Sequence, residues 1–213
     1  MAAYDLEEQE QLDELKLWWK RYGNLIILAL SLVVILVSAW SGWKIWQRNQ
    51  AQHASSVYSD LQKAARENET KKVGELAGTI LEQYSRTTYA PLAAFVSAKS
   101  HFETGDLKTA KAQLQWILAN ARDGNLQDIA RLRLSGVLLD EKAYEEAIKV
   151  LDAKPAPDLD PLFSNARGDV LLAQGKIDEA SSAFKRALDK TPAKQVAARE
   201  LLQLKIDAAG AAR

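Results

Sequence analysis

Residues 22–43 carry no charged side chain. As an α-helix, rising about 1.5 Å per residue, that stretch is about 33 Å long, the thickness of a bilayer's hydrocarbon core. Aromatic residues bracket it, Trp18, Trp19 and Tyr22 before it and Trp40, Trp43 and Trp46 at its end, so five of the six tryptophans stand where lipid headgroups meet water. Lys16, Lys20 and Arg21 flank one side and Lys44 and Arg48 the other. The run must therefore lie in lipid or be buried, and two other readings compete with a membrane span. A buried core helix is disfavoured because an uncharged run of this length is apolar on every side, too apolar for a small soluble domain. A cleaved signal peptide, with Val37 and Ala39 as the small residues before a cut, is disfavoured by what precedes it. That segment is long and acidic (Asp5, Glu7, Glu8, Glu10, Asp13, Glu14), whereas the leading region of a signal peptide is short and basic. A single retained span fits best, with the six aromatics as its interface anchors.

The chain beyond residue 47 is long enough for one compact domain. The whole sequence has 28 basic and 28 acidic residues, so its formal net charge is zero, which leaves no basic excess to neutralise a phosphate backbone; nucleic acid is not an expected partner. The absence of cysteine excludes disulfides and thiolate metal sites. Three basic residues before the span against two after it give a small positive-inside bias, so the expected topology is N-terminus in, C-terminus out.

Leu12, Leu15, Trp19 and Tyr22 fall on one face of a helix that either lies in the interface or simply leads into the span. No proline or glycine interrupts residues 45–71, which predicts that the span runs on as one helix through Arg66. From there the sequence repeats. Ala77, Ala110, Ala147 and Ala180 stand in similar contexts, separated by 33, 37 and 33 residues. A period near 34 is the signature of stacked helix pairs. Turns at Gly105, Lys142 and Gly175 precede the last three anchors, and a large residue (Leu81, Leu114, Leu151, Phe184) follows each anchor by four. Small residues at the anchors, and at Ala98, Ser135 and Gly168 of the preceding helices, let paired backbones approach; the large residues fill the grooves between pairs.

These residues resemble the tetratricopeptide repeat, best in the unit carrying Gly168, Gly175, Ala180, Phe184, Ala187 and Pro192. The other units are degenerate: the Ala110 unit carries an insertion around Asp123-Gly124-Asn125, and the prolines of residues 155–161 predict a loop. The expected fold is all-α: one N-terminal transmembrane helix, then a tetratricopeptide-like α-solenoid of about four helix pairs and a C-terminal capping helix over residues 193–206. Leu201, Leu204 and Lys205 are expected to close its last apolar face. A non-repetitive helical bundle is the competing fold.

No catalytic constellation is visible. His53 and His101 belong to no metal-ligand spacing, no glycine-rich phosphate loop or GxSxG elbow occurs, and no cofactor is implied. What remains is a surface. First helices line the concave side of such a stack, and by repeat register its exposed positions are Phe95, Lys99, Phe102, Leu132, Gly136, Asn165 and Asp169. A mixed apolar and polar lining suits a peptide or a helix of a partner protein. The competing reading is that Phe95 and Phe102 pack within the domain. Trp116 reads as internal packing.

The order of elements resembles the YfgM-type ancillary subunits of the bacterial SecYEG translocon. The carrying residues are Gly23-Asn24 entering the span, Gly42-Trp43 and Trp46 leaving it, Gly105-Asp106-Leu107, Leu132-Arg133-Leu134, the run over residues 167–175, and Gln203-Leu204-Lys205-Ile206. The resemblance implies a single-pass protein of the bacterial inner membrane, with a short cytoplasmic segment (residues 1–22), a transmembrane helix (23–43) and a periplasmic repeat domain (44–213). It implies a non-enzymatic role: association with the SecYEG translocon and with a membrane-anchored periplasmic chaperone of the peptidyl-prolyl isomerase type, assisting handover of exported proteins. A membrane-anchored scaffold for an envelope complex unrelated to secretion is the alternative.

Overall fold

The computed structural model describes residues 2–211, with side chains from residue 11 onward except at position 29. The chain divides into two units between Gln50 and Ala51.

The first unit is the N-terminal part of α1 (Ala2–Arg66). Leu25, Ile27, Leu28, Leu30 and the run from Leu32 to Val37 all stand at least half exposed. This is the one described helix long and apolar enough to cross a membrane. Helices suit that environment because every interior backbone N–H and C=O is satisfied within the segment. Gly23 lies under the Trp19 indole, whose ring atoms would stand 3.1 Å from an added Cβ.

The second unit is a stack of helix pairs, and four near-identical turns build it. The last turns of α1 pair with α2 (Thr70–Gln83); α3 (Tyr89–Glu103) pairs with α4 (Leu107–Asn120), α5 (Gly124–Asp140) with α6 (Tyr144–Leu151), and α7 (Asp160–Ala173) with α8 (Ile177–Lys190). A single helix, α9 (Val196–Ala211), follows. Within each pair the first helix ends on a residue in the left-handed region: Asn68 (φ 56°), Gly105 (83°), Lys142 (59°) and Gly175 (76°). At each, the next residue's N–H reaches back five positions (Glu69 to Ala64, Asp106 to His101, Ala143 to Leu138, Lys176 to Leu171) at 2.8–3.0 Å. This is the Schellman cap, which closes a helix and aims the chain back along it.

These caps set the true register. Thr70, Leu107, Tyr144 and Ile177 open the second helices, so the repeats are 37, 37 and 33 residues long. The residue matching Ala110, Ala147 and Ala180 in the first pair is Val73, whose N–H bonds Glu69 as theirs bond Asp106, Ala143 and Lys176. Ala77, the anchor expected from the sequence, lies one helical turn further on. Four residues return to the same helix face, so both Val73 and Ala77 are fully buried and alanine spacing alone does not separate them.

The core is continuous but runs in one dimension. Leu61 of α1 packs with Ala77, Ile80, Ala90 and Ala93; a middle cluster joins α3 to α7; a last cluster gathers Leu171, Phe184 and Leu202. Trp116 touches the first two clusters and Ile148 the last two, so stability passes from neighbour to neighbour along the stack. The proline-rich stretch is irregular over residues 152–156, forms a short 3₁₀ turn at Pro157–Leu159, and then enters α7, with Pro161 in the first turn where its missing N–H is harmless. Buried Asp128 fastens the loop, accepting the Ala156 N–H at 2.9 Å while pairing with Arg131 at 2.9 Å.

The capping helix differs in register from the expectation. Leu202 and Ile206 seal the last core, while Leu201 and Leu204 face outward at 54% and 66% exposure. Arg199 fixes α9 by donating to the C-terminal carbonyls of Leu188 and Thr191, both at 2.8 Å.

Candidate functional site

The first helices α3, α5 and α7 lie side by side in the stack. On the face they share, a pocket of about 330 Å³ opens between α3 and α5. Ala98, Leu114 and Val137, all nearly inaccessible, form its floor. Phe102 and Leu132 wall it, and Gly136 leaves space where any other residue would place a side chain: an added Cβ there would meet nothing within 4 Å. Lys99 and Arg133 stand at the rim. The Arg133 guanidinium lies 4.7 Å from the centre of the Phe95 ring, held by a cation–π contact.

Lys99, Phe102, Leu132 and Gly136, four of the seven positions expected on this face, meet at that one pocket. Phe95 does not line it; at 8% exposure it belongs to the middle core beneath Arg133. Asn165 and Asp169 lie elsewhere on the face, on α7, where Lys205 of α9 donates to Asn165 at 2.9 Å and to both Asp169 oxygens at 2.7 and 2.8 Å. That end of the face is tied to the capping helix rather than left unoccupied.

Sequence reasoning missed Arg133 and Val137, which follow Leu132 and Gly136 by one residue and share the same stripe once α5 is placed. It also missed a second, more polar pocket of about 750 Å³ between the end of α1 and α3, lined by Gln62, Arg66, Asn68, Ser100 and Glu103 and sharing Lys99 with the first. No register argument reaches it, because it depends on α1 serving as the first helix of a pair.

His101 sits between α2 and α3, its Nδ1 2.8 Å from the Ser97 carbonyl and its ring against Gly74. Among the described residues no three of His, Asp and Glu converge as metal ligands. The ionic contacts bind pairs together instead. Lys111 of α4 reaches Glu141 and Glu146, both at 3.1 Å, and these bonds raise its pKa above the ordinary lysine value. Gln174 donates to Glu145 at 2.8 Å.

The six aromatics expected as interface anchors all lie on α1: the Trp18 and Tyr22 rings meet tilted at 5.8 Å, those of Trp43 and Trp46 tilted at 5.3 Å, and the Lys44 ammonium stands 3.8 Å over Trp40. Every one is between 41% and 61% exposed, Trp19 included.

Comparison with known proteins agrees with this architecture. The Tetratricopeptide repeat-like domain family matches residues 16–211. A protein of Neisseria gonorrhoeae named "Ancillary SecYEG translocon subunit" is 32% identical over 97% of this chain and 99% of its own length. The protein of the same name in Escherichia coli (strain K12) is 31% identical over 97% and 98%. Among solved structures, MamA from Desulfovibrio magneticus RS-1 (residue 41 to the end) superposes with a TM-score of 0.55 at 17% identity, over 75% of this chain and 88% of that one, a likeness of fold alone.

Proposed function

Because this chain belongs to the family of ancillary SecYEG translocon subunits, we propose that it is a single-pass subunit of the inner-membrane translocon whose repeat unit binds other proteins. The observation that carries this reading is the extent of the likeness. It covers 97% of the chain, and so takes in the apolar helix with its aromatic flanks as well as the repeats. In this reading residues 1–22 lie in the cytoplasm, 23–43 span the bilayer with the six aromatics at its two interfaces, and 44–213 stand in the periplasm. The charge bias across the span supports that orientation.

The repeat unit works by binding rather than by chemistry. Its first-helix face, with the pocket at Phe102, Leu132 and Gly136, is the surface that receives a partner segment. A translocon subunit with such a surface stands where exported chains emerge, which supports a role in passing them to a membrane-anchored periplasmic chaperone of the peptidyl-prolyl isomerase type. Affinity capture of the full chain from membranes in mild detergent tests the reading. Recovery of the SecY, SecE and SecG proteins with such a chaperone is the expected result; recovery of a discrete envelope enzyme complex without the channel would replace it with an assembly scaffold.

A further inference from the structure

The pocket between α3 and α5 is apolar inside and basic around its mouth. Lys99 has one carboxylate near it, Glu103 at 3.6 Å, and both side chains are mostly exposed, a geometry in which an ion pair contributes little. Arg133 has no carboxylate partner among the described residues; its guanidinium is fixed over Phe95 and remains available to an anion. Across Lys99 the face continues into the polar pocket, where Arg66 adds a third cation. Three cations and one carboxylate thus line two adjoining pockets in a chain of zero net charge. Complementary charge selects partners and speeds their encounter. At about 330 Å³ the apolar pocket lies near the lower end of ligand-sized cavities, about 300–1,000 Å³, which suits one large side chain rather than a folded element.

We propose that this site takes a protein segment in which a single large apolar side chain is flanked by carboxylates. The apolar group fills the space left by Gly136, between Phe102 and Leu132, and the carboxylates meet Arg133 and Lys99. The proposal rests on the reading of the first-helix face as the partner surface, and names the chemistry of what that face selects.

The test uses the full-length chain in nanodiscs and three fluorescein-labelled synthetic peptides, read by anisotropy. The probe is Gly-Ser-Glu-Asp-Phe-Asp-Glu-Ser-Gly; one control replaces its acids with lysine, the other its phenylalanine with serine. The probe binds about tenfold or more tighter than either control, a difference of the size one hot-spot contact supplies, and its affinity falls with added salt. Gly136→Leu fills the pocket from a position with open space and exchanges glycine for a better helix former, so it loses probe binding without lowering Tm. Arg133→Gln weakens the acidic probe and leaves the lysine control unchanged. Equal binding of acidic and basic peptides, unaltered probe binding by Gly136→Leu, or no binding of the probe at any soluble concentration would each overturn the proposal. Translocon capture by the same preparation separates the two ideas: capture without probe binding refutes the pocket's selectivity alone, and failure of capture refutes the functional reading beneath it.

Discussion

Gly168 of α7 lies so close to the Phe184 ring of α8 that an added Cβ would sit 2.3 Å from its Cε1 and 2.5 Å from its Cδ1. The last helix pair is built on this contact. Phe184 is fully buried, and Leu171, Ala180, Ala187 and Leu202 pack in the same cluster, so the ring has no room to retreat. Gly168→Ala is expected to destabilise the repeat unit by about 1–3 kcal/mol through overpacking, even though alanine is the better helix former. Gly136→Ala on α5 is the matched control. Its Cβ meets nothing, and the change is expected to be neutral or stabilising by up to about 1 kcal/mol. Thermal unfolding of the two variants checks both signs.

The repeated turns make a second prediction. Lys142 holds the left-handed conformation that Gly105 and Gly175 hold in the matching caps, and unlike them it carries a Cβ. Lys142→Gly relieves that strain and is expected to raise stability by about 0.5–1 kcal/mol. Chemical denaturation with an unchanged m-value confirms it, since the fold and the surface exposed on unfolding stay the same.

The caps also show what the sequence could reveal. The all-α class, the apolar helix and the number of pairs were legible because turn residues, burial and period all speak to them together. The first repeat's register was not legible. Val73 and Ala77 share a face of α2, and only the Asn68 turn, where no glycine marks the position, tells them apart. The same ambiguity misplaced the seal of α9 by one residue, because Leu201 and Leu202 are both apolar and only packing against α8 decides between them. At the candidate site, register alone brought Lys99, Phe102, Leu132 and Gly136 together. Asn165 and Asp169 lie further along the same face, and register could not show that Lys205, 36 residues beyond Asp169, bonds them there.

That register of α9 can be measured directly. Leu202 is 6% exposed and Leu201 54%. Leu202→Ala is expected to cost about 2–5 kcal/mol, and Leu201→Ala no more than about 0.5 kcal/mol. Equal costs would place the wrong leucine in the core.

Asp106 caps α4. Hydrogen bonds from the Thr109 side chain and from its backbone N–H, the latter at 3.0 Å, hold the carboxyl below its ordinary pKa. The native state therefore favours the ionised form. Its stabilising effect is full above the unfolded carboxylate value, about 3.9, and is lost as pH falls through the lower folded value. Asp106→Ala is expected to lower Tm at neutral pH, with the gap to the parent chain closing in acid below that range. A gap that persists unchanged in acid would show that the capping carboxylate is not its source.

In the proposed topology a helix held in the bilayer keeps the repeat stack on the periplasmic side. The chain contains no cysteine, so single cysteines report its topology without background. Gln11→Cys and Ala208→Cys place exposed thiols before and after the span, and a membrane-impermeant maleimide is applied to intact spheroplasts. Labelling at position 208, with position 11 reacting only after lysis, is the predicted result. Labelling at position 11 with protection at 208 would put the repeats in the cytoplasm and overturn the proposed topology.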